Sequence, residues 1–283
     1  MSPARRVLGG LVRLPGARAL WRRMRSPRQG FGPAAPPLAR VTHVEEGNQW
    51  YHPPLAGPST FVADVSSAKA VRGMLDVLGR LSSDPYLEFL SRYGRRGLEE
   101  FGESWIYADI NTVLYGLAER LGVDSYLEIG VRRGRSMAMV AAQRPRCHLV
   151  GFDLWIENYA GMSNPGPSVV REELARIGHA GPLELISGDS RVTVPEYLRG
   201  HPDRFFDLVT VDGDHSAEGA AADILNVLPR IKCGGALVFD DIANPAHPEL
   251  LDVWTRLVAR NGRFASWSFA ETGFGVAFAI KRY

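Results

Sequence analysis

Four carboxylates follow two hydrophobic runs of the sequence and are the side chains best suited to chemistry. Asp212 and Asp214 stand in FDLVTVDGDHS, and Asp240 and Asp241 end GGALVFDD. Clustered carboxylates repel one another unless a cation or a basic ligand group lies between them, and oxygen ligands of this kind suit Mg²⁺ or Ca²⁺. We predict a metal site formed by Asp212, Asp240 and Asp241, with Mg²⁺ as the expected ion. The alternative is that Asp212 serves a cofactor and Asp241 only caps a loop.

His215 directly follows Asp214 and is the candidate proton acceptor. A neutral imidazole beside a reacting hydroxyl can take its proton, which typically contributes about 10²–10⁴-fold to a rate. We predict this role for His215, with Asp214 as the second candidate. The alternative is a structural role, which a single histidine has more often. The sequence shows no Walker-type, Ser-His-Asp or nucleophilic cysteine pattern that would compete with this interpretation.

A glycine-containing segment precedes both groups of candidates. The run YLEIGVRRGRSM places Glu128 two positions before Gly130, followed by Gly134 and Ser136. Glycine lets the backbone approach a ligand closely, and the N-terminus of the next helix offers free N–H groups to an anion. The Gly-x-x-x-Gly spacing differs from the G-x-G-x-x-G of dinucleotide sites, which argues against NAD. The alternative is a tight turn with no ligand.

Short β-rich runs alternate with helical stretches from Asp124 onward. The runs SYLEIGV, HLVGFDL, LELISGD, FDLVTVDG and ALVFDD are nearly all apolar, as expected of parallel strands covered by helices on both faces. FASWSFA and GFGVAFAIK indicate an antiparallel pair that closes the sheet. The sequence therefore predicts an α/β, doubly wound sheet. Such sheets bind ligands at the carboxyl ends of their strands, where these acids and glycines stand.

The pattern E-x-G-x-x-x-G-x-S after a hydrophobic strand, here Glu128–Ser136, resembles the first motif of class I S-adenosylmethionine (SAM) methyltransferases, and the likeness extends through Tyr283. The resemblance implies a Rossmann-like sheet of seven strands with the last strand antiparallel. It also implies a cofactor site at Glu128–Ser136 and Asp212, with the methionine carboxylate of SAM near Gly130–Ser136.

The same resemblance assigns two further strand ends to the cofactor. Asp153 is expected to bind the ribose hydroxyls, as carboxylates about twenty residues past the glycines do in other Rossmann-like sites. Asp189 and Ser190 match the position that meets the adenine amino group. The alternatives are that Asp153 is only a loop carboxylate, and that Asp189 and Ser190 only cap the next helix. Trp155 and Tyr159 are candidates for stacking on adenine, with packing as their alternative role.

The acids after the fourth and fifth runs resemble those of metal-dependent O-methyltransferases of the macrocin and catechol type. They resemble more closely a DGDH-bearing family loosely related to cephalosporin-hydroxylase-like and sugar-modifying enzymes. The sequence departs from the catechol type by Asp-Asp-Ile in place of Asp-Asn. The resemblance implies SAM-dependent methylation of a small-molecule hydroxyl, on a sugar or a natural-product phenol, assisted by Mg²⁺. The alternatives are a methyltransferase acting on RNA or protein, and a non-catalytic SAM-fold binding protein.

The N-terminal part differs in charge from the rest of the chain. Residues 1–44 carry nine arginines and no acidic residue, whereas the remainder has 24 basic and 31 acidic residues. The prolines between residues 26 and 58 are typical of an extended linker. We predict a basic, Pro-rich tail and linker without fixed structure at 1–60, a helical cap at 61–122 and the SAM-binding domain at 123–283.

Composition bounds the compartment and the partners. The chain has 45% hydrophobic and 23% charged residues, as an ordinary globular protein does, and no apolar stretch of the length that a membrane span requires. Cys147 and Cys233 lack metal-ligand spacing and indicate reduced thiols. We predict a cytoplasmic protein that binds a small-molecule hydroxyl acceptor and no nucleic acid. Organelle targeting or membrane contact by the Arg-rich tail, and a homo-oligomer, stay open as alternatives.

Overall fold

One sheet of seven strands runs through the part of the chain that this computed structural model describes, residues 37–40, 56–158 and 161–283. The strands are β1 Ser125–Ile129, β2 His148–Asp153, β3 Leu183–Ser187, β4 Phe206–Val211, β5 Ile231–Asp240, β6 Phe264–Phe269 and β7 Val276–Lys281. Their order is β3-β2-β1-β4-β5-β7-β6, with β1 to β5 parallel and β7 antiparallel to both of its neighbours. The predicted doubly wound, Rossmann-like sheet with an antiparallel last strand is confirmed.

Four of the described helices precede the sheet and five follow or connect its strands. The helices are α1 Pro58–Ser66, α2 Ala68–Arg80, α3 Pro85–Phe101, α4 Ile110–Leu121, α5 Arg135–Gln143, α6 Pro167–Arg176, α7 Ser190–Gly200, α8 Ala217–Val227 and α9 Glu249–Trp254. The first four lie across the range predicted as a helical cap, while the division into domains stays a prediction. None of these helices is both long and apolar enough to cross a membrane.

Side-chain caps fix where α3 and α4 begin. Asp84 accepts hydrogen bonds from the N–H groups of Tyr86 and Leu87, and a proline occupies the first helical position of α3. Asp109 accepts from the N–H of Thr112 at 2.9 Å, while the Thr112 hydroxyl accepts from the Asp109 N–H at 3.1 Å. These caps satisfy backbone groups that a helix start leaves unpaired. The caps therefore fix the backbone positions of Tyr86 and Asp109.

The central strands of the sheet are buried on both faces. Along β4, Leu208 packs into one hydrophobic cluster together with Leu117 of α4, and Val209 packs into the opposite cluster together with Ile224 of α8. All four side chains are fully buried, and each such burial stabilises the fold by about 1.5–3 kcal/mol. The near-continuous apolar composition of the strands is explained by these two layers.

A short segment within the predicted linker contacts the sheet. The Cys233 N–H donates to the carbonyl of Pro37 at 2.8 Å, and the Ala39 N–H donates to the carbonyl of Cys233 at 2.7 Å. Arg40 pairs with Asp124 at 2.7 Å. Residues 37–40 therefore lie beside the start of β5. The predictions for residues 1–36, 41–55 and Tyr159 lie outside the described residues.

Candidate active site

Strained backbone concentrates at the carboxyl edge of the sheet. Three residues that are not glycine have left-handed backbone just after a strand: Arg132 (φ 52°) after β1, Trp155 (φ 53°) after β2 and Asp241 (φ 61°) after β5. Such conformations cost of order 1–3 kcal/mol each and are found most often where function requires them. Since ligands of α/β sheets bind at this edge, the strain marks it as the candidate site.

The loop after β1 holds two glycines in conformations that other residues avoid. Gly130 has φ +93° and lies against the carbonyl of Asp212, so that an added Cβ atom would overlap that carbonyl. Gly134 has φ +73° and forms the N-cap of α5, where no side chain of the described residues accepts from the first N–H groups of the helix. An uncapped helix N-terminus is a ready site for a carboxylate or phosphate. The prediction that Gly130 and Gly134 allow close approach to an anionic group agrees with this geometry.

Glu128 and Ser136 are partners of each other beneath the same loop. The Ser136 hydroxyl donates to Oε1 of Glu128, and the Tyr126 hydroxyl donates to Oε2 at 2.8 Å. Burial raises the pKa of Glu128 to about 8, although both hydrogen bonds oppose that shift. The structure thus shows Glu128 and Ser136 fixing β1 to the start of α5. Their predicted contact with a cofactor stays a prediction.

Asp153, at the end of β2, joins the loop after β1 to the loop after β2 through hydrogen bonds. Its Oδ2 accepts from the Arg132 N–H at 2.6 Å, and its Oδ1 accepts from the Trp155 N–H at 2.6 Å and from Asn164 Nδ2 at 3.1 Å. A carboxylate has about four lone-pair positions, so Oδ2 keeps capacity for a further donor such as a ribose hydroxyl. Trp155 also donates from its ring nitrogen to the Ser187 hydroxyl at 2.9 Å. This bond places the Trp155 indole between the ends of β2 and β3.

Asp189 caps helix α7 in the structure. Its side chain accepts from the Arg191 N–H at 2.9 Å and pairs with the Arg191 guanidinium at 2.7 Å, and these hydrogen bonds lower the pKa of Asp189. Ser190 is the first residue of the helix. The arrangement agrees with the alternative that these two residues cap α7, and their predicted contact with adenine stays a prediction.

Asp212, Asp240 and Asp241, here called the acid group, meet at the ends of β4 and β5. Burial raises the pKa values of Asp240 and Asp241, and their neighbours in the group raise them further. His215 lies between two members of the group. Its Nε2 is 3.4 Å from Asp212 Oδ1, and its Nδ1 is 3.5 Å from Asp241 Oδ2. The hydrogen bond with Asp212, followed by the charges of the acid group, raises the pKa of His215. The structure therefore brings His215 into contact with two members of the acid group, while the roles predicted for these residues stay predictions.

Asp214 has a different orientation from the acid group. It accepts from the Ser216 N–H at 2.8 Å, and its carboxylate lies against Gly219 in the first turn of α8. Asp214 is exposed to solvent, although its charge still raises the pKa of His215. Of the two predicted proton acceptors, His215 is the one in contact with the acid group.

The predicted metal site lacks a preformed ligand set. Within residues 37–40, 56–158 and 161–283, no three His, Cys, Asp or Glu side chains are arranged to hold a metal ion. The acids of the group are close enough to shift one another's pKa values, but they do not fit Mg²⁺ as they stand. Mg²⁺ binding by Asp212, Asp240 and Asp241 stays a prediction.

Sequence reasoning did not single out three residues near the starts of α3 and α4, Tyr86, Tyr107 and Asp109, two of which interact electrostatically with Asp240. Tyr107 donates from its hydroxyl to Asp109 Oδ2 at 3.1 Å, and Asp109 raises the pKa of Asp240. Asp109 and Asp240 in turn contribute to raising the pKa of Tyr86 to about 12, after the larger effect of burial. The spacing Asp109-x-x-Thr112 predicts a helix start. Nothing in the sequence indicates that this cap also adjoins the end of β5.

Folding stability is expected to fall between pH 5 and pH 8. A carboxyl whose pKa rises from about 4.5 to about 8 on folding, as that of Glu128 does, binds its proton more tightly in the folded state. The favourable contribution is present at low pH and is lost as the pH rises through this window. Glu128→Gln should flatten the dependence of the urea midpoint on pH, measured at pH 5.5, 6.5 and 8. Equal slopes for the wild type and Glu128→Gln would contradict this expectation, and the exposed Glu196→Gln serves as the control.

The sheet and its connecting loops are similar to a known family model and to solved structures. Residues 127–242, which contain most of β1 and all of β2 to β5, match the family model described as a methyltransferase domain. Among solved structures, the O-methyltransferase TomG from Streptomyces achromogenes, involved in tomaymycin synthesis and solved with SAM, is 20% identical, with 72% of this chain and 92% of that chain covered and a TM-score of 0.50.

A second solved structure and the curated proteins complete the comparison. CalS11, a TDP-rhamnose 3'-O-methyltransferase of calicheamicin biosynthesis, is 21% identical, with 75% of this chain and 93% of that chain covered and a TM-score of 0.48. The search of curated proteins finds no match. The matched segment and the strand order agree on the fold of a methyltransferase domain.

Proposed function

We propose that this protein is a SAM-dependent methyltransferase that methylates a hydroxyl oxygen of a small molecule. The proposal rests chiefly on one observation. An uncapped helix N-terminus, a carboxylate with spare accepting capacity and a histidine set between acids all lie at the carboxyl edge of one sheet. The methyltransferase-domain match to residues 127–242 supports the same reaction.

The residues at this edge suit SAM. The N–H groups at the start of α5, beside Gly134, would hold the methionine carboxylate, and Asp153 Oδ2 would accept from a ribose hydroxyl. TomG, whose structure shares this fold, is described in complex with SAM. Bound SAM would supply a methyl group on a sulfonium, and transfer of that group to oxygen breaks a C–S bond, forms a C–O bond and releases one proton.

His215 accepts that proton in the proposed mechanism. Its contacts with Asp212 and Asp241 stabilise the imidazolium that results, because the two carboxylates lie 3.4 and 3.5 Å from its ring nitrogens. In this mechanism Nε2 donates its proton to Asp212, and Nδ1, which lies 3.5 Å from Asp241 Oδ2, is the nitrogen that accepts the proton of the hydroxyl. Alignment of donor and acceptor provides the remainder of the rate enhancement. No step is assigned to Mg²⁺, because the acid group does not form a preformed metal site.

A small-molecule acceptor is proposed in preference to RNA or protein. The acid group and Asp109 place four carboxylates at this edge, whereas the charge of Asp84 is balanced by Arg133 and Arg135. The four carboxylates disfavour a polyanion such as RNA. Sugar hydroxyls and phenols both suit the proposal. TomG and CalS11 are described as O-methyltransferases of natural-product pathways, which agrees with an oxygen acceptor.

A thermal melt tests the cofactor assignment directly. At a concentration near one hundred times its dissociation constant, SAM should stabilise the protein by about 2.7 kcal/mol, a rise of several degrees in Tm for a chain of this size. NAD should give no shift and serves as the control. Absence of a shift with SAM would contradict the proposed function.

The same melt tests the prediction of Mg²⁺ assistance. Because the pKa values of Asp240 and Asp241 are raised, protons compete with a cation for the acid group, and any Mg²⁺-induced shift should be larger at pH 8 than at pH 6. Asp241→Asn should remove the shift. If Mg²⁺ changes Tm equally in the wild type and in Asp241→Asn, the acid group is not its site.

A further inference from the structure

Three arginines that the mechanism does not use lie between β1 and the first turn of α5. We name Arg132, Arg133 and Arg135 the arginine group. Oδ2 of Asp84 pairs with Arg133 at 3.1 Å and also with Arg135. Arg132 takes part in none of the ion pairs within the described residues. The three guanidinium groups therefore share one paired carboxylate, and positive charge is in excess.

The Arg132 guanidinium contacts no strong hydrogen-bond acceptor in the described part of the chain. Its Nη2 lies against the sulfur of Met162, and a thioether is only a weak acceptor. Its Nε is buried and has no hydrogen-bond partner among the described residues. A buried donor without a partner costs free energy. An anion that accepts hydrogen bonds from this guanidinium would therefore be bound favourably.

The ring of Tyr86 holds two members of the arginine group in place. The guanidinium carbons of Arg132 and Arg135 lie 5.8 and 5.3 Å from the ring centroid, within the range of a cation–π contact. The Tyr86 backbone is itself fixed by its hydrogen bond to Asp84. Tyr86 is 40% exposed. The two guanidinium groups are thus oriented before any ligand arrives, beside a surface that a small molecule can reach.

The arginine group keeps many N–H donors that are not used within the described residues. Asp84 Oδ2 takes one contact from Arg133 and one from Arg135, and Arg133 also donates from Nη1 to the Ser163 hydroxyl at 3.2 Å. A guanidinium carries five N–H donors. Its planar fork matches the oxygen pairs of a phosphate or a carboxylate. The chemistry of the group therefore suits an anion with several acceptor oxygens.

The side chain and the backbone of Arg132 have different surroundings. The Arg132 N–H donates to Asp153, the proposed ribose ligand, whereas the guanidinium lies by Tyr86 of α3. Asp84, the partner of the other two arginines, is the N-cap of α3, and this helix lies outside the matched methyltransferase domain at 127–242. The arginine side chains therefore contact the N-terminal helices, while the backbone of the same loop serves the proposed cofactor site.

We propose that the arginine group is an anion-binding subsite that receives a phosphate or carboxylate carried by the methyl acceptor. The inference rests on the proposed function and names the class of acceptor, a hydroxyl compound with one anionic group. The hydroxyl lies at the acid group after β4 and β5, and the anionic group lies at the arginine group after β1. Because β1 and β4 are adjacent strands, the two sets of opposite charge orient one small molecule between them.

Ligand-observed NMR titration of the full chain, saturated with S-adenosylhomocysteine, tests the proposal. The probes are glycerol 3-phosphate, lactate and the uncharged glycerol, at one ionic strength fixed with NaCl. We expect glycerol 3-phosphate or lactate to bind at least tenfold more tightly than glycerol, and the comparison of the two identifies the preferred anion. Arg132→Ala should weaken the binding of that anion at least tenfold. Arg132→Lys keeps the charge without the planar fork and should weaken it about threefold.

The controls separate this subsite from the cofactor site. Arg95→Ala removes the same charge from an exposed position of α3 and should leave all affinities unchanged. Arg132→Gln keeps a long polar side chain and repeats the test if Arg132→Ala fails to fold. The affinity for S-adenosylhomocysteine should change less than threefold in the Arg132 variants.

Three results would overturn the proposal. They are equal affinities for the three probes, unchanged binding of the anions in the Arg132 variants, and binding of the anions only when S-adenosylhomocysteine is absent. The last result would mean that the arginine group holds the carboxylate of the cofactor. Failure of S-adenosylhomocysteine alone to bind would count against the proposed function, and the same titrations without it would still decide whether the arginine group binds anions.

Discussion

His215→Asn is expected to lower kcat by about 10²–10⁴-fold, the range that a positioned proton acceptor typically contributes. Asparagine keeps a polar side chain of similar reach between Asp212 and Asp241, but it does not accept a proton near neutral pH. The affinity for SAM should change less than threefold, because His215 contacts the acid group and not the uncapped start of α5. Steady-state kinetics together with the SAM melt would separate these two effects.

A matched histidine elsewhere provides the control for this prediction. His201 bonds to the carbonyl of Tyr197 through Nδ1 at 2.8 Å, just after the end of α7, so His201→Asn should leave kcat within about twofold. If His215→Asn retains full turnover, His215 has a structural role and the proposed mechanism is wrong. A variant that loses turnover while keeping its SAM-dependent shift in Tm would also exclude the alternative of a non-catalytic SAM-binding protein.

Gly130→Ala is expected to weaken SAM binding by 100-fold or more and to lower Tm by several degrees. The φ of +93° is unfavourable for any residue with a Cβ atom, and the added methyl group would overlap the carbonyl of Asp212. The loop must then move away from β4. A displacement of this kind shifts the start of α5, where the cofactor carboxylate is proposed to bind, and also the backbone of Asp212 itself.

Gly79→Ala is the matched control, since an added Cβ atom there meets no atom within 4 Å. Gly79 lies inside α2, where alanine is favoured over glycine by roughly 0.5–1 kcal/mol, so this variant should be as stable as the wild type or slightly more stable. Isothermal titration with SAM and a thermal melt would check both variants. Equal SAM affinity in Gly130→Ala and the wild type would show that the loop after β1 does not contact the cofactor.

Much of the fold follows from local patterns that the sequence states directly. The apolar runs that become β1, β2, β4 and β5 are largely buried on both faces, because parallel strands need helices on each side. The edge strand β3 is only half-buried. Gly130 and Gly134 are recognisable as loop glycines because they follow an apolar run at Gly-x-x-x-Gly spacing, and their positive φ values agree with that position. The meeting of Asp212, Asp240 and Asp241 also followed, because the carboxyl ends of adjacent parallel strands share one edge.

The direction in which each carboxylate at a strand end points could not be predicted from the sequence pattern. Glu128 follows the motif of a cofactor-binding residue, yet it points into the core and bonds to Ser136 and Tyr126. Asp189 and Asp214 are strand-end acids, yet each bonds to the start of the next helix. A carboxylate at a strand end can reach either a ligand or the backbone of the following turn, and only the positions of the neighbouring helices decide between them.

The α/β sheet and the position of the acid group at its carboxyl edge follow from the sequence alone, because both depend on the alternation of apolar runs and helical stretches. Tertiary folding brings Tyr86 and Asp109 within electrostatic range of Asp240, and the charge of Asp109 raises the pKa of Asp240. More than 100 residues separate Asp240 from these residues, and no local periodicity connects them. Their proximity results from packing of α3 and α4 near the ends of the strands, which depends on the burial of complementary apolar faces over the whole domain.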